Sequence, residues 1–168
     1  MGQKPARQGR VFKDFQVGDA CQHPLRRTIT QADNIWFTLL TLHSNPIHFD
    51  ASLAAQTEFG RPLVASTLTV ALATGLSVAD VSQNAVNLGW DDVRLPHPVF
   101  DGDTLYATSE VLEVRFSHSR PVKRIVRVKA ARTNRHGTAV IEFRRTIMVY
   151  RRGHVPQATR PAPPGSDP

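Results

Sequence analysis

Cysteine and long apolar runs are nearly absent from this chain of 168 residues. Its single cysteine, Cys21, cannot form a disulfide within the chain, which excludes a disulfide-stapled scaffold and fits a reducing compartment. No apolar run approaches the ~20 residues that a membrane-spanning helix needs. Residues 1–10 are polar and basic without an apolar segment behind them, so we expect no signal peptide, no membrane association and a cytoplasmic location.

Acidic residues are in the minority, with 14 Asp and Glu against 21 Lys and Arg and a net charge of +7. The basic residues are mostly arginine and are scattered along the chain, without an aromatic-interleaved basic stripe. We therefore expect no nucleic-acid partner. Two interpretations of the charge remain open: a solvated surface, or attraction of an anionic ligand whose phosphates suit arginine forks.

The length and the hydrophobic content of 40% are those of one folded domain. We place this domain at residues 10–152. Residues 1–9 are expected to form a flexible tail. Residues 153–168 contain five prolines and few bulky apolar side chains, so we expect a disordered Pro-rich tail there.

Three helices are predicted in the first half of the chain. Thr30 and Asp33 form a capping signal for the first helix. Apolar residues follow at helical spacing: Ile35, Trp36, Leu39, Leu40 and Leu42. Asp50 caps a short second helix, and Ser66 or Thr67 begins a third, which small residues allow to pack closely against a sheet.

The second half of the chain changes to the period of two that strands have. Four segments are rich in β-branched residues, namely residues 86–95, 104–116, 124–133 and 139–150. Together with the helices they predict an α+β fold in which a central helix packs on a long antiparallel sheet. Such a sheet leaves an edge that needs cover, and dimerisation is one solution.

The segment His43-Ser44-Asn45-Pro46-Ile47-His48 is the most informative stretch of the sequence. It places two imidazoles and a side-chain amide directly after an apolar helical pattern. Pro46 cannot continue a helix and biases Asn45 toward an extended backbone. We therefore expect His48 on a rigid turn between two helices, where it could serve as a general base.

This segment resembles the Asp-x-Asn-Pro-(Leu/Ile)-His motif of the MaoC-like, (R)-specific enoyl-CoA hydratases, with His43 in place of the aspartate. Other segments are similar to that family in the same order: residues 9–19 to its opening strand and turn, 27–33 to the approach to its first helix, 59–69 to the entry of its central helix, and 98–105 to the turn before its long strands. The resemblance implies a hotdog fold, at least a homodimer, and an acyl-CoA substrate. It implies no metal and no redox cofactor, coenzyme A being part of the substrate.

The resemblance also implies roles for the motif residues. His48 aligns with the catalytic histidine, which takes a proton from water and returns it. Asn45 either positions that water or caps the turn. His43 is a second acid/base group, a substrate contact, or a side chain at a helix end. Backbone N–H groups of Ala65 and Ser66 would stabilise the enolate oxygen.

Substrate choice is expected to depend on Arg61, Arg94 and His97. The segment of residues 87–96 is similar to a subgroup that acts on branched C5 dicarboxylic acyl-CoAs such as itaconyl- or mesaconyl-CoA. A second substrate carboxylate would suit an arginine fork. The alternative for each arginine is a surface ion pair with Asp91 or Asp92.

Two other activities compete with reversible hydration. Hotdog proteins include acyl-CoA thioesterases, which usually activate water with a carboxylate, and Asp50 and Glu58 are the nearest carboxylates to the motif. A non-catalytic acyl-CoA-binding protein that has lost the aspartate is the other alternative.

Overall fold

The computed structural model describes residues 4–5 and 9–156. These residues contain six strands and three α-helices. The strands are β1 Lys4–Pro5, β2 Ala20–Thr28, β3 Ala85–Arg94, β4 Thr104–Phe116, β5 Lys123–Thr133 and β6 Ala139–Tyr150. The helices are α1 Gln31–Leu40, α2 Ala51–Ala54 and α3 Ser66–Gly75, with short helical turns at Phe12–Asp14, Pro46–His48 and Val78–Ser82.

All six strands form one sheet in the order β1-β2-β4-β5-β6-β3. The pairs are antiparallel except for β1, which pairs in parallel with β2. The four strands predicted in the second half of the chain are confirmed with ends shifted by at most one residue. Alternation of buried side chains along β4, β5 and β6 explains why the period of two was a reliable signal.

Helix α3 packs on one face of this sheet, so the predicted α+β architecture is confirmed. Leu68, Ala73 and Leu76 on and beside the helix share a core cluster with strand residues, including Leu105, Ala107, Ala130, Ile141 and Phe143. The helix begins at Ser66, as predicted. Leu68, Thr69 and Ala73 form its buried face, whereas Ala71 and Gly75 are exposed.

The predicted opening strand in residues 9–19 is wrong. This segment forms a helical turn at Phe12–Asp14 followed by further turns, and the first long strand is β2. Local polar contacts stabilise the turns, since Asp14 accepts from the Val11 N–H and the Arg10 guanidinium donates to the Asp19 carboxylate. Of the predicted tails, residues 4–5 form β1, and residues 1–3, 6–8 and 157–168 lie outside the described residues. The tail boundaries stay predictions.

Helix α1 begins as predicted, with Thr30 as N-cap and Asp33 completing the capping box. The face that it buries is polar, because Asn34 and Thr38 are its buried residues. The apolar side chains of Trp36, Leu39 and Leu40 are 63–78% exposed. Burial of Asn34 is explained by the hydrogen bonds that it makes at the candidate site, and the Thr38 hydroxyl is satisfied by the Ile35 carbonyl of the same helix.

Strand β3 lies at one end of the sheet order and pairs only with β6 among the described strands. Val86, Leu88 and Trp90 alternate along it and are 44–51% exposed. β3 is therefore the sheet edge that we predicted to need cover, for example by a second copy of the chain. Among the described residues, no helix is long and apolar enough to cross a membrane.

Candidate active site

The turn that carries His48 is built by local contacts. Helix α1 gives way to Leu42, which has a positive φ of 55°, and the Asn45 Oδ1 then accepts the Ile47 N–H at 3.3 Å. Pro46 is the first residue of the helical turn Pro46–His48, where its fixed φ is favourable. The predicted rigid turn between two helices is therefore present. Asn45 caps it and also lines the cavity beside His48, so both predicted roles fit its position.

His48 is buried, and one hydrogen bond fixes its neutral tautomer. Its Nδ1 lies 3.0 Å from the Leu63 carbonyl oxygen. Because a carbonyl only accepts, Nδ1 must carry the proton, and a neutral ring then has its lone pair on Nε2. His48 lines a cavity of about 430 Å³ together with Asn45, Ser66, Thr69 and His97, among others. The arrangement is suited to accepting a proton from water in that cavity.

Asn34, which sequence reasoning did not single out, connects the parts of the site. Its side chain is 3% exposed and makes three hydrogen bonds. The Nδ2 group donates to the carbonyls of His48 at 2.7 Å and Leu63 at 2.8 Å, while Oδ1 accepts the Ala65 N–H at 2.9 Å. One amide from α1 thus joins the His48 turn, the carbonyl that orients its ring, and the start of α3.

The Ala65 N–H is engaged by Asn34, so the predicted pair of oxyanion donors narrows to Ser66. Ala65 is the N-cap of α3 and provides no side-chain acceptor for the first turn. The first N–H groups of a helix have no partner within the helix and carry its partial positive charge. Ser66 lines the same cavity as His48, which places this end of α3 beside the candidate base.

His43 contacts His48 but faces a different cavity. The two rings meet edge to face, with centroids 4.7 Å apart and an interplanar angle of 83°. His43 lines a neighbouring, mainly apolar cavity of about 530 Å³ with Ile35, Leu39, Leu42 and Phe49, among others. His43 is therefore placed to influence the imidazole of His48, and its backbone N–H donates to the Thr38 carbonyl at the end of α1.

The three predicted substrate-binding residues are not brought together. His97 lines the His48 cavity, and its Nδ1–H donates to the Ala139 carbonyl at 2.8 Å, so its Nε2 remains for another contact. The Arg61 guanidinium lies 4.0 Å from the ring centroid of Phe100, whose backbone is bridged to Leu63 in the cavity wall. Arg94 lies opposite Glu142 and lines a separate cavity of about 220 Å³, whereas the wall of the His48 cavity begins at the next residue, Leu95.

The carboxylates weighed in the alternatives have other partners or positions. Asp91 pairs with Arg127 at 3.1 Å and Asp92 pairs with Arg144, so the ion pairs expected for Arg61 and Arg94 are not formed. Asp50 caps α2 by accepting the Leu53 N–H. Neither Asp50 nor Glu58 lines the His48 cavity, which weakens the thioesterase alternative.

The arrangement of the motif on this fold agrees with a family comparison. A MaoC like domain matches residues 14–134, which is most of the chain. The chain belongs to the MaoC-like family. The matched range includes every predicted site residue, from His43 to His97.

Known proteins that resemble this MaoC-like chain share its fold and are about twice as long. It is 30% identical over 93% of its length to a mesaconyl-CoA hydratase from Cereibacter sphaeroides, of which it covers 46%. A putative MaoC domain dehydratase from Chloroflexus aurantiacus superposes with a TM-score of 0.81 at 30% identity, over 95% of this chain and 46% of that one.

A Mycobacterium tuberculosis protein described as having a double hotdog fold superposes with a TM-score of 0.76 at 22% identity, over 89% of this chain and 47% of that one. The predicted hotdog fold is confirmed. The chain spans about half the length of the curated relatives that it matches first.

Proposed function

We propose that this MaoC-like chain is a hydro-lyase that reversibly adds water across the double bond of a 2-enoyl-CoA thioester. The observation that carries the proposal is the fixed tautomer of His48, which leaves Nε2 as a proton acceptor in a cavity that also contains the first turn of α3. The reaction as proposed needs no metal and no redox cofactor, and coenzyme A enters as part of the substrate. We further propose a cytoplasmic location, which the lone cysteine supports.

Each step of the proposed reaction has a group in the cavity. His48 Nε2 takes a proton from water as the oxygen forms a bond to Cβ of the substrate, and the electron pair of the double bond moves toward the thioester carbonyl. The Ser66 N–H and the positive end of α3 stabilise the resulting enolate oxygen. The imidazolium then returns its proton to Cα, which completes the addition of one water.

We propose a branched C5 dicarboxylic acyl-CoA of the itaconyl- or mesaconyl-CoA type as substrate. The mesaconyl-CoA hydratase relative supports this class, and an imidazolium at His97 would donate through Nε2 to a distal carboxylate from the cavity wall. Arg61 is adjacent to the wall through Phe100. Arg94 would require a conformational change or a second chain to reach the substrate, and it is the weakest of the three assignments.

A homodimer or a higher homo-oligomer is proposed as the active assembly. Relatives contain about twice the length of this chain, and two copies of the chain supply the same amount of protein. The apolar edge strand β3 offers unpaired backbone groups and half-exposed apolar side chains for such an association.

The reaction is tested by following the ultraviolet band of the enoyl thioester together with free thiol. We expect loss of the band without thiol release, and a decrease in kcat of at least about 100-fold in His48→Ala. His136→Ala, in the exposed turn between β5 and β6, is the matched control and is expected to retain full activity. Thiol release would establish a thioesterase, and binding of acyl-CoA without either change would establish a non-catalytic protein.

The substrate class is tested by kcat/KM for mesaconyl- and itaconyl-type CoA esters against crotonyl-CoA. We expect the dicarboxylic esters to be preferred, and His97→Gln to reduce that preference by about 10-fold or more while activity on crotonyl-CoA is retained. Arg61→Met should reduce the preference for dicarboxylic esters less than His97→Gln does. Arg94→Met should leave this preference unchanged if the site is formed by one chain alone. A higher kcat/KM for crotonyl-CoA in the parent protein would contradict the dicarboxylate proposal and leave a general enoyl-CoA hydratase.

A further inference from the structure

A buried cluster of metal-ligand side chains lies among residues that the proposed reaction does not use. Cys21 and His23 both come from β2, where alternate residues point to the same face, and Asp80 comes from the helical turn after α3. All three side chains are more than nine-tenths buried. One sulfur, nitrogen or oxygen atom from each lies within 4.8 Å of the others.

We propose that Cys21, His23 and Asp80 form a binding site for a divalent cation of borderline softness, with Zn²⁺ as the best match. Thiolate, imidazole and carboxylate are the three ligand types that zinc takes from proteins. The distances are 2.8 Å from Sγ to Asp80 Oδ2, 3.6 Å from His23 Nδ1 to the same oxygen, and 3.8 Å from Sγ to Nδ1.

These distances are close to those that a bound ion requires. Ligand atoms around a tetrahedral zinc ion are about 3.3–3.8 Å apart, given its usual bond lengths. Two edges of the triangle already have this length. The third edge is the hydrogen bond from the Cys21 thiol to Asp80, and it would open by less than about 1 Å once the thiol proton has left.

Ser109 provides the contact that a ligating histidine usually has on its other nitrogen. The Ser109 Oγ lies 2.8 Å from His23 Nε2. If Nε2 carries the proton and donates to this hydroxyl, Nδ1 keeps its lone pair, 3.6 Å from Asp80 Oδ2. The Cys21 sulfur lies 3.8 Å from Nδ1 and 3.9 Å from Nε2, so binding an ion would require the imidazole to turn Nδ1 toward the space between sulfur and carboxylate. A hydrogen bond of this kind fixes the tautomer and ring orientation of metal-bound histidines.

Binding exchanges the thiol proton for the metal. The S–H bond of Cys21 breaks, an S–Zn bond forms, and the proton leaves to solvent. Without a metal, burial raises the pKa of Cys21 to about 12, and its thiol remains protonated and donates to Asp80. Burial, helped by the charge of Arg132, lowers the pKa of His23 to about 4, so the imidazole is already neutral.

Two buried arginines near the cluster set a limit on affinity. The Arg132 guanidinium donates to the carbonyls of Ala73, Thr108 and Ala131, and Arg10 pairs with Asp19 at 2.9 Å. Their charges favour the thiolate but repel a cation. A cavity of about 230 Å³ reaches Cys21 and Ser109, which leaves room for water as a fourth ligand. We therefore expect weaker binding than in a closed site with four protein ligands.

The test uses the full chain after removal of metals with a chelator, and Zn²⁺ or Co²⁺ alone as probe. We expect about one zinc per chain by mass spectrometry after dialysis, and a thiolate-to-cobalt charge-transfer band with Co²⁺. Cys21→Ser and Asp80→Asn should each lower the affinity by about 10-fold or more. His43→Ala, which removes one of the two imidazoles that meet at the candidate active site, is the matched control and should bind zinc like the parent.

Each other outcome counts against the site. Absence of the thiolate-to-cobalt band in the parent protein overturns the proposal without any variant, so a variant that fails to fold does not affect the conclusion. Zinc bound with unchanged affinity in Cys21→Ser, or lost in His43→Ala, would place the ion elsewhere. Enoyl-CoA hydration is measured separately in the metal-free protein, so the outcome for the proposed function is independent.

Discussion

Asn34 gives the sharpest test of how the fold positions the candidate base. Its amide makes three buried hydrogen bonds, to the His48 and Leu63 carbonyls and from the Ala65 N–H. We consider Asn34→Leu, which keeps the branching and the number of heavy atoms of the side chain and removes all three bonds. The Leu63 carbonyl keeps its bond from His48, but the His48 carbonyl and the Ala65 N–H lose their partner. Each such buried group costs about 1–3 kcal/mol, so the variant should lose about 2 kcal/mol or more. For a chain of this length, a loss of about 2 kcal/mol corresponds to a decrease in Tm of about 4–8 °C.

The effect on turnover should exceed what the loss of stability explains. In Asn34→Leu the Leu63 carbonyl can still accept from His48 Nδ1, so the tautomer of the base persists. The connection between the His48 turn and the start of α3 is lost, so the distance between Nε2 and the Ser66 N–H is no longer held fixed. A misplacement of about 1 Å can cost about 100-fold in rate. We expect that loss in kcat, with KM changed little, at temperatures well below the Tm.

Thr38→Val is the matched control for this substitution. Thr38 lies one turn farther along α1, is equally buried, and donates only to the Ile35 carbonyl of its own helix. Its replacement should change the Tm by a few degrees at most and leave kcat intact. The reasoning would be refuted by an Asn34→Leu protein with kcat within threefold of the parent, or by an equal loss of kcat in Thr38→Val.

Three further predictions concern stability and assembly. Burial lowers the pKa of His23 from 6.5 to about 4, so the unfolded state binds a proton at a higher pH than the folded state does. The free energy of unfolding of the metal-free protein, measured by denaturant titration, should therefore fall by about 3 kcal/mol between pH 6.5 and 4. His23→Gln should flatten this pH dependence. Arg132→Met removes the donor from the buried Ala73 carbonyl and from the half-buried carbonyls of Thr108 and Ala131, and should destabilise by about 1–3 kcal/mol, whereas exposed Arg135→Met should not. Leu88→Glu on β3 should give monomers by light scattering, and Leu40→Glu on α1 should not; the reverse would assign the interface to α1.

The fold was largely predictable because local signals and tertiary packing agree along most of the chain. β-branched residues at a period of two give β4 from Thr104 to Phe116 with the predicted ends, and Thr30 and Asp50 cap the helices that they were expected to cap. Residues 9–19 were misassigned because the resemblance to the family's opening strand does not report side-chain contacts such as Arg10 with Asp19, which stabilise turns in this segment.

The candidate site was predictable only where a side chain belongs to a local motif. His48 and Asn45 follow from the turn segment, but the partner that fixes the His48 tautomer is the backbone carbonyl of Leu63, fifteen residues away, and no side-chain pattern reports it. Asn34 was overlooked because an asparagine inside an apolar helical pattern is usually solvent-exposed. The same contact explains why the Ala65 N–H, a reasonable oxyanion donor by position, is engaged.

The polarity of α3 explains how one fold separates the proposed reaction from the cysteine cluster. At its first turn, unpartnered N–H groups beside Ser66 carry the partial positive charge that an enolate oxygen requires. At its other end, Arg132 donates to the Ala73 carbonyl, where a cation is favourable, and the chain then turns to place Asp80 against Cys21. Ten residues of helix separate the two ends by about 15 Å. A cation bound at Cys21 is therefore expected to stabilise the fold without taking part in hydration at His48.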